Sequence, residues 1–478
     1  MTSRAPRVNG RFRAAAGLAF CGIFLLLIQA HPLQACSTFK LQKGNALLYG
    51  HNLNQPGMDV PGQIFINKRG VFKIGRSASE ILTKDGTNPS GLSWISRYGS
   101  VTFSTFGKDM PDGGLNEAGL YIWEMSSETE YPKNPAHPKL SQMNWMQYVL
   151  DSFSTTDEVV ASAYAIEIDG WGWHFFVGDT RGRCAAVEFI KGKVVVHSGE
   201  AMPIPALFNQ PYTRELEIAA YYQGFGGLYP PGLDDKRVPR FVKTAAMIRD
   251  YDPAQDAVAY GLKMLERIKV NEVPDWTVLA DVRAGIVYFK TALNPEIKTF
   301  SLAGFDFSNQ APAQVLTMDQ KQGGDTAALF HAATEEEIRG FLAALPMKDS
   351  LYSELGTTKA EFTERFATHT RAAEDPARQF FKGTWAKYAD PAKSPSRPPE
   401  IAVELKIAGN AVTGEIRNAG GEKYALDHLQ LVQKSLSFTF RNLQGTLYIG
   451  KAALGEGKMD FELWGIDGLL GRHTLLKQ

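Results

Sequence analysis

The chain has 478 residues, of which 44% are hydrophobic and 21% are charged, and it contains only 3 cysteines. This balance is typical of a packed globular protein and excludes a disordered chain, a collagen and a small disulfide-stapled domain. The 51 basic and 51 acidic residues give no net charge. Since no basic cluster occurs beyond the first 35 residues, we expect no nucleic-acid partner.

The first 35 residues have the pattern of a secretory signal peptide. Residues 1–13 carry four arginines and no acidic residue, Ala14–Ile28 is apolar, and the small residue Ala35 follows. A basic region, an apolar core and a small residue at the exit define such a signal. The apolar run is shorter than the ~20 residues that span a bilayer. We therefore expect cleavage after Ala35, an exported protein that is periplasmic or secreted, and no membrane span in the mature chain.

Cleavage after Ala35 makes Cys36 the first residue, and three interpretations of this cysteine compete. It is an ordinary cysteine, alone or in a disulfide with Cys184. Alternatively, Leu33–Cys36 resembles a lipobox, in which the cysteine is acylated and anchors a lipoprotein, although Gln34 fits that motif loosely. In the third interpretation Cys36 is an N-terminal nucleophile, whose own amine, with an ordinary pKa of about 7.7–8.0, serves as the base for its thiol.

The residues after Cys36 favour the nucleophile. Ser37–Gln42 alternates in polarity, residues 43–45 supply a turn, and Ala46–Gly50 reads as a second strand. A β-hairpin therefore begins at the cysteine itself. A lipoprotein would place a flexible tether there, whereas a nucleophile must be held on a rigid element. The lipoprotein anchored through Cys36 remains the alternative.

Further short motifs follow Cys36 in chain order. They are Gly50-His51-Asn52-Leu53-Asn54, Pro111-Asp112-Gly113-Gly114-Leu115-Asn116-Glu117-Ala118-Gly119-Leu120, Phe208-Asn209-Gln210-Pro211, Pro239-Arg240-Phe241-Val242-Lys243 and Trp276-Thr277-Val278. With Cys36, this series resembles the choloylglycine hydrolase and penicillin V acylase family over roughly residues 36 to 310. These proteins are N-terminal nucleophile (Ntn) hydrolases that cleave linear amides. The resemblance implies an α+β fold of four layers, an αββα sandwich.

Two asparagines and one arginine acquire a catalytic role only through this resemblance. Taken alone, Asn116 and Asn209 are explained as turn residues. Arg240, taken alone, is either a solvated charge or a residue with a specific partner, since an arginine in a first helical turn opposes the helix dipole. The resemblance implies that Asn116 and Asn209 stabilise the oxyanion, and that Arg240 belongs to the site.

Two positions depart from the family pattern. His51 and Asn54 stand where the family has an arginine that supports the thiol and an aspartate that holds the terminal amine. Asn54 can accept a hydrogen bond from the amine but adds no negative charge. His51 is either a donor to the thiolate, an extra base or a structural strand histidine. Asp59 is a candidate replacement for the missing carboxylate.

The rest of the chain predicts helices, a meander and a second domain. Residues 173–197 read as a β-meander, with Cys184 as a core residue and Glu188 as a solvated one. A Pro/Ser-rich stretch at 391–399 precedes short alternating runs that predict a small antiparallel barrel or sandwich. The predicted helices are Ser141–Ser152, Thr156–Tyr164, Arg240–Tyr251, Pro253–Lys269, Glu335–Leu345 and Thr357–Ala373. The predicted organisation is a signal peptide at 1–35, an Ntn domain at 36–374 and an antiparallel β domain at 375–478.

Together these patterns predict an exported amidohydrolase. Its substrate is a small N-acyl amide of the penicillin V, conjugated bile acid or acyl-homoserine lactone type, which Cys36 attacks to form a thioester. The chain has no HExxH, paired CxxC or Walker-type loop, so we expect no metal and no cofactor. The alternative is a non-catalytic binding protein on the same scaffold, lipid-anchored or soluble. The oligomeric state is left open, a homo-oligomer included.

Overall fold

The structure is a computed structural model. It describes residues 36–54, 62–82, 92–270, 276–308, 311–354, 356–369, 383–387, 400–408, 411–432, 435–454, 458–465 and 468–477. The predicted signal peptide and Asp59 lie outside these residues. Within them, no helix has the length and apolar character needed to cross a bilayer.

Among the described residues, strands and helices alternate irregularly before residue 370, and only strands follow. The first twenty strands are β1 (Ser37–Lys43), β2 (Ala46–Leu53), β3 (Gln63–Asn67), β4 (Phe72–Ile74), β5 (Ser93–Ile95), β6 (Ser100–Ser104), β7 (Gly113–Asn116), β8 (Tyr121–Ser126), β9 (Lys139–Ser141), β10 (Glu167–Asp169), β11 (Trp173–Gly178), β12 (Cys184–Ile190), β13 (Lys193–Ser198), β14 (Ala206–Leu207), β15 (Trp276–Asp281), β16 (Ile286–Thr291), β17 (Lys298–Ser301), β18 (Gln314–Thr317), β19 (Gly324–Asp325) and β20 (His331–Ala332). The described helices are α1 (Ala78–Leu82), α2 (Gln142–Ser152), α3 (Thr156–Ala165), α4 (Tyr212–Ala219), α5 (Arg240–Asp250), α6 (Ala257–Arg267), α7 (Glu335–Ala344), α8 (Asp349–Glu354) and α9 (Lys359–His369).

Two mainly antiparallel sheets form the centre of this part of the chain. The first sheet has the order β14-β1-β2-β15-β16-β17-β19, and the second has β13-β12-β11-β8-β7-β6-β3-β18-β20. Their inner faces meet, as the stacked rings of Tyr49 and Tyr121 show, with centroids 4.9 Å apart. Helices α5 and α6 pack on the first sheet, and α2 and α3 pack on the second. The predicted four-layer αββα arrangement is therefore confirmed.

The helix boundaries follow local capping chemistry. The predicted helix at Pro253–Lys269 begins only at Ala257 because the Asp256 side chain caps it, accepting a hydrogen bond from the Ala259 N–H. Thr155 and Glu158 form a capping box at the start of α3. The predicted helix starts at residues 156 and 240 agree with the structure.

The hairpin predicted at the cysteine is present. β1 and β2 pair from Ser37↔Asn52 to Lys43↔Ala46. Gly44 adopts a φ of +61° in the connecting turn, a conformation that glycine reaches without strain. The other edge of β1 pairs with the short strand β14. Backbone hydrogen bonds on both sides therefore fix the strand that follows Cys36.

The C-terminal strands form a nearly closed antiparallel barrel. They are β21 (Gly383–Lys387), β22 (Ile401–Ala408), β23 (Ala411–Asn418), β24 (Lys423–Ala425), β25 (Asp427–Val432), β26 (Ser435–Arg441), β27 (Leu447–Leu454), β28 (Lys458–Gly465) and β29 (Gly468–Lys477). β24 pairs with β23 and β25 pairs with β26, so residues 423–432 act as one strand that brings the two ends of an eight-stranded sheet together. Of the predicted barrel and sandwich, the barrel is correct. The predicted domain boundaries lie outside the described residues and stay predictions.

The barrel is joined to the preceding domain by backbone pairing. β25 pairs with β5 through Gln430↔Trp94 and Leu431↔Ser93, and β5 pairs with β4. The Trp94 indole donates a hydrogen bond to the Asp151 carboxylate of α2 at 2.8 Å. One sheet therefore runs from the barrel into the paired strands β5 and β4.

Gly113 of β7 packs closely against the Trp123 ring of β8, and this contact gives a testable prediction. A Cβ at Gly113 would lie 2.1 Å from the Trp123 ring. We expect Gly113→Ala to lower the free energy of unfolding by about 1–3 kcal/mol, because the buried ring cannot move aside. Urea denaturation followed by tryptophan fluorescence measures the change.

Gly340→Ala is the matched control. Gly340 lies in α7, and a Cβ there would meet nothing within 4 Å. The same added methyl group should raise stability by about 0.4–1 kcal/mol at this position. Equal stability of Gly113→Ala and the wild type would contradict the packing described for β7 and β8.

Candidate active site

Cys36 lies at the start of β1, between the two sheets, and its side chain is fully buried. Its thiol donates a weak hydrogen bond to Glu124 Oε1 in β8 of the facing sheet, with Sγ and Oε1 3.9 Å apart. The backbone N–H of Asn54, just after β2, points to the same sulfur. The hairpin and β8 therefore hold the sulfur from two sides.

The surroundings of the thiol favour its neutral form. Burial raises the pKa of the Cys36 thiol well above its usual value, and the nearby Glu124 carboxyl raises it further. The Asn54 N–H and the Arg240 guanidinium act in the opposite direction. An isolated thiolate is therefore unfavourable here, and a reaction at this sulfur needs a base and a hydrogen-bond donor.

The fold brings Asn209 and Arg240 to Cys36. Asn209 follows β14, the neighbour of β1, and its side-chain amide donates to the Ser126 carbonyl at 2.9 Å. Arg240 begins α5 after Pro239, and its Nη2 donates to Asn209 Oδ1 at 3.2 Å. Its Nη1 lies 3.5 Å from the Cys36 carbonyl oxygen. The specific-partner interpretation of Arg240 matches this geometry.

The Arg240 guanidinium is itself buried in the protein. It lies over the Phe208 ring, 4.9 Å from the centroid. Burial lowers the pKa of Arg240 to about 10, although the charges of Cys36 and Glu215 oppose this shift. Burial also raises the pKa of the Glu215 carboxyl to about 7, against the influence of Arg240. Arg240 nonetheless remains a cation near neutral pH, adjacent to Cys36.

The hydrogen bond and the ring contact found for His51 are with residues other than Cys36. Its Nδ1 lies 2.8 Å from Thr38 Oγ1, and its ring stacks on Trp123 with the centroids 4.0 Å apart. Nε2 has no hydrogen-bond partner among the described residues. Burial lowers the pKa of His51 well below its usual value. These contacts match the structural strand histidine, and the thiolate-donor and extra-base interpretations stay predictions.

The side chain of Asn116 is hydrogen-bonded to backbone groups of its own turn and of the end of α2. Its side-chain amide donates to the Leu150 carbonyl at 2.8 Å and to the Phe153 carbonyl at 2.7 Å. Its Oδ1 accepts hydrogen bonds from the N–H groups of Ala118 and Leu120. Both donors and the acceptor are occupied, so the structure gives Asn116 no contact with Cys36. The turn-residue explanation fits, and the oxyanion role implied by the resemblance does not.

Sequence reasoning missed the buried carboxyls behind the sulfur. Glu124 and Asp112 are 1% and 0% exposed, and the Glu124 N–H donates to the Asp112 carbonyl. Burial raises the pKa of the Asp112 carboxyl to about 7, and the pKa of Glu124 rises well above its usual value. The one indication in the sequence was that Glu124 is an acidic residue within the otherwise largely apolar strand β8.

The prediction that Glu188 is solvated is wrong. Glu188 is 1% exposed, and its Oε1 lies 3.0 Å from both His174 Nδ1 and the Tyr212 backbone nitrogen. His174 Nε2 contacts the carbonyl oxygen of Phe208, the residue before Asn209. The partners lie on other strands and on α4, which local alternation cannot indicate. Glu188 and His174 therefore support the turn that carries Asn209.

The two described cysteines are not linked to each other. Cys36 and Cys184 are both free thiols, and Cys184 Sγ lies 3.9 Å from Met202 Sδ in the core. The disulfide interpretation of Cys36 is therefore wrong in this structure, and Cys184 is a core residue as predicted. Within the described ranges, no group of three or more His, Cys, Asp or Glu side chains could hold a metal ion.

Comparison with known proteins identifies similar hydrolases. No protein-family model matches the chain. The penicillin V acylase of Pectobacterium atrosepticum is 32% identical over 278 residues, which cover 48% of this chain and 73% of that protein. The structure of the penicillin V acylase from Agrobacterium tumefaciens superposes with a TM-score of 0.53 and 23% identity, over 63% of this chain and 98% of that one. A variant of the conjugated bile acid hydrolase from Clostridium perfringens has a TM-score of 0.48 and 18% identity, over 60% and 98% of the two chains.

The hydrogen bonds of Asn116 predict that its replacement lowers stability rather than catalytic activity. We expect Asn116→Ala to lower the free energy of unfolding by about 2–4 kcal/mol, because four backbone groups lose their partner. At a temperature where the variant is folded, kcat should stay within about threefold of the wild type. Asn116→Asp, which keeps the acceptor but turns a buried carboxyl toward the Leu150 and Phe153 carbonyl oxygens, should lose at least as much stability. A large loss of kcat in either variant at unchanged stability would restore the oxyanion role.

The buried Asp112 carboxyl predicts a specific pH dependence of stability. Burial raises its pKa from the ordinary 3.8 to about 7, so the folded chain binds this proton more tightly than the unfolded chain does. Stability should therefore fall as the pH rises between these two values. Asp112→Asn removes the ionisation and should stabilise the protein at pH 8 by about 1–4 kcal/mol, with no such gain at pH 4. Urea denaturation at both pH values measures this; equal gains at both would disprove the assignment.

Proposed function

This chain belongs to the choloylglycine hydrolase and penicillin V acylase family of Ntn hydrolases, and we propose that Cys36 is the nucleophile with which it cleaves small N-acyl amides. As a member of this family it is a hydrolase of linear amide carbon–nitrogen bonds. The observation that carries the proposal is the buried Cys36 sulfur on the β1–β2 hairpin, with Asn209 and Arg240 beside it.

The proposed acylation step uses two groups of the same residue. Once the leader is removed, the α-amine of Cys36 takes the thiol proton, and the sulfur attacks the amide carbon. A carbon–sulfur bond forms, the carbonyl oxygen becomes an oxyanion, and the amine then gives the proton to the leaving nitrogen. The carbon–nitrogen bond breaks and a thioester remains. Water attacks the thioester, releases the acid and returns the proton to the sulfur.

We propose that Asn209 stabilises the oxyanion and that Arg240 binds the main-chain carbonyl group of Cys36. The Asn209 amide lies beside β1, and Arg240 holds its Oδ1, which directs the amide nitrogen away from the guanidinium. Well-placed donors of this kind each contribute about 2.7–4 kcal/mol to an oxyanion transition state. Asn54, at the end of β2, is proposed to receive the α-amine of the mature chain.

The substrate is proposed to carry an apolar acyl group. The side chains next to the residues around the sulfur are apolar: Phe208 lies under Arg240, Trp123 stacks on His51, and Met125 contacts Thr38. The relatives' names, penicillin V acylase and conjugated bile acid hydrolase, supply two acyl types to test. Export to the periplasm or medium with cleavage after Ala35 belongs to the same proposal, because the mechanism needs a free amine on Cys36.

Replacement of Cys36 tests the function directly. We expect Cys36→Ala to lower kcat for a chromogenic phenoxyacetyl amide by about 10³-fold or more, because no thioester can form. Cys184→Ala is the matched control and should keep wild-type turnover, since Cys184 packs against Met202. Undiminished cleavage by Cys36→Ala would refute the mechanism.

Mass spectrometry of the mature amino terminus is the companion measurement. The proposal requires a chain that begins at Cys36 with an unmodified amine. An acylated amine, as in a processed lipoprotein, or a first residue before Cys36 would remove the base and contradict the proposed step.

A further inference from the structure

The Glu124 carboxyl contacts the reacting sulfur, yet the proposed mechanism assigns it no task. Resting on the proposed role of Cys36, we propose that Glu124 is a catalytic residue that keeps its own proton and donates it, as a hydrogen bond, to the Cys36 sulfur whenever that sulfur is anionic. The carboxyl would thus act as a neutral acid and never as the base.

The geometry places the carboxyl within reach of the sulfur. Glu124 Oε1 lies 3.9 Å from Cys36 Sγ, within the range of a hydrogen bond to sulfur. Oε2 is buried and has no hydrogen-bond partner among the described residues. A carboxyl that is 1% exposed and has one unpartnered oxygen is available for a further hydrogen bond. The sulfur is the reacting atom that already touches it.

The neighbours of Glu124 keep it un-ionised. They are Cys36 before β1, the buried Asp112 before β7, and Tyr131. None of the three is a cation, and none of the ion pairs found within the described residues includes Glu124 or Asp112. Burial first, and the Asp112 carboxyl second, raise the pKa of Glu124 well above its usual value. A buried carboxylate without a cation is unfavourable, so the neutral acid is the stable form.

Two other polar side chains near the sulfur make hydrogen bonds to other groups. Arg240 is directed to the Cys36 carbonyl oxygen and to Asn209 Oδ1. His51 is bonded to Thr38 and stacked on Trp123. The Asn54 N–H provides one backbone donor, and Glu124 provides the side-chain donor.

The hydrogen bond reverses its direction during the reaction. In the resting state the thiol donates to Oε1. After the thiol proton has passed to the α-amine, the carboxyl O–H donates to the anionic sulfur. The same bond forms again when the thioester collapses and sulfur leaves. The carboxyl proton remains on Glu124 throughout, so no further proton donor or acceptor is needed.

Ionisation of Glu124 would switch the nucleophile off. A negative carboxylate next to the sulfur raises the pKa of the thiol and cannot donate a hydrogen bond. Activity should therefore fall as the pH rises through the ionisation of Glu124. A purely structural glutamate would not produce this decline.

Two substitutions separate donation from ionisation. Glu124→Gln keeps the shape and a neutral N–H donor but cannot ionise, and Glu124→Leu has neither donor nor charge. At pH 6 we expect kcat for a phenoxyacetyl amide to fall about 10²-fold in Glu124→Leu and by less in Glu124→Gln. The alkaline decline of kcat/KM should be present in the wild type and absent from Glu124→Gln. At a pH above the alkaline decline of the wild type, iodoacetamide should alkylate Cys36 faster in Glu124→Gln than in the wild type.

Glu167→Gln is the matched control, since Glu167 is buried but paired with Lys139 in β9 and does not contact Cys36. It should keep the wild-type pH profile. If Glu124→Leu does not fold, the pH profile and the alkylation rate of Glu124→Gln are sufficient to test the inference. A Glu124→Gln profile that coincides with that of the wild type would overturn the inference. Turnover by Cys36→Ala, measured in parallel, would instead refute the proposed function.

Discussion

The pairing of β1 on both of its edges is the constraint on which the site depends. β2 binds one edge and β14 binds the other, so the residue that precedes β1 enters the space between the sheets without freedom to move. The same pairing carries Asn209, which follows β14, to the side of Cys36. Arg240 reaches both because α5 starts beside this edge. One set of backbone hydrogen bonds thus positions Cys36 and its neighbours together.

Burial then determines which of these groups carry charge. In a poorly hydrated space, an ionised side chain is tolerated only when it has a partner of opposite charge or several hydrogen bonds. His51 has neither, and it stays neutral against Trp123. Cys36 and Asp112 are likewise held in their protonated forms near neutral pH or below. Few groups of the site are therefore charged in the resting state, and a thiolate forms only when a base accepts the thiol proton.

The sequence predicts those features that depend on neighbouring residues, and it misses those that depend on distant contacts. The hairpin at Cys36, the helix starts at residues 156 and 240, and the C-terminal barrel follow from alternation, capping and turn residues. The proximity of Asn209 and Arg240 followed only from the order of motifs. Asn116 has the same kind of motif, but the carbonyl groups at the end of α2 occupy its amide. No local pattern distinguishes these two asparagines, because the carbonyl groups that bind their amide NH2 groups lie tens of residues away.

Two buried glutamates in the second sheet show that the neighbouring groups determine the pKa of a buried carboxyl. Burial alone would raise the pKa of Glu188, but a hydrogen bond with His174 and the nearby His197 lower it to about 2. Glu124 has an equally buried carboxyl, faces a thiol and another carboxyl, and shifts in the opposite direction. The first is an ionised anchor for the turn before Asn209, and the second is a neutral acid at the sulfur. Both are the same residue type in a strand of one sheet, so the difference in function lies in what the neighbouring strands place opposite each of them.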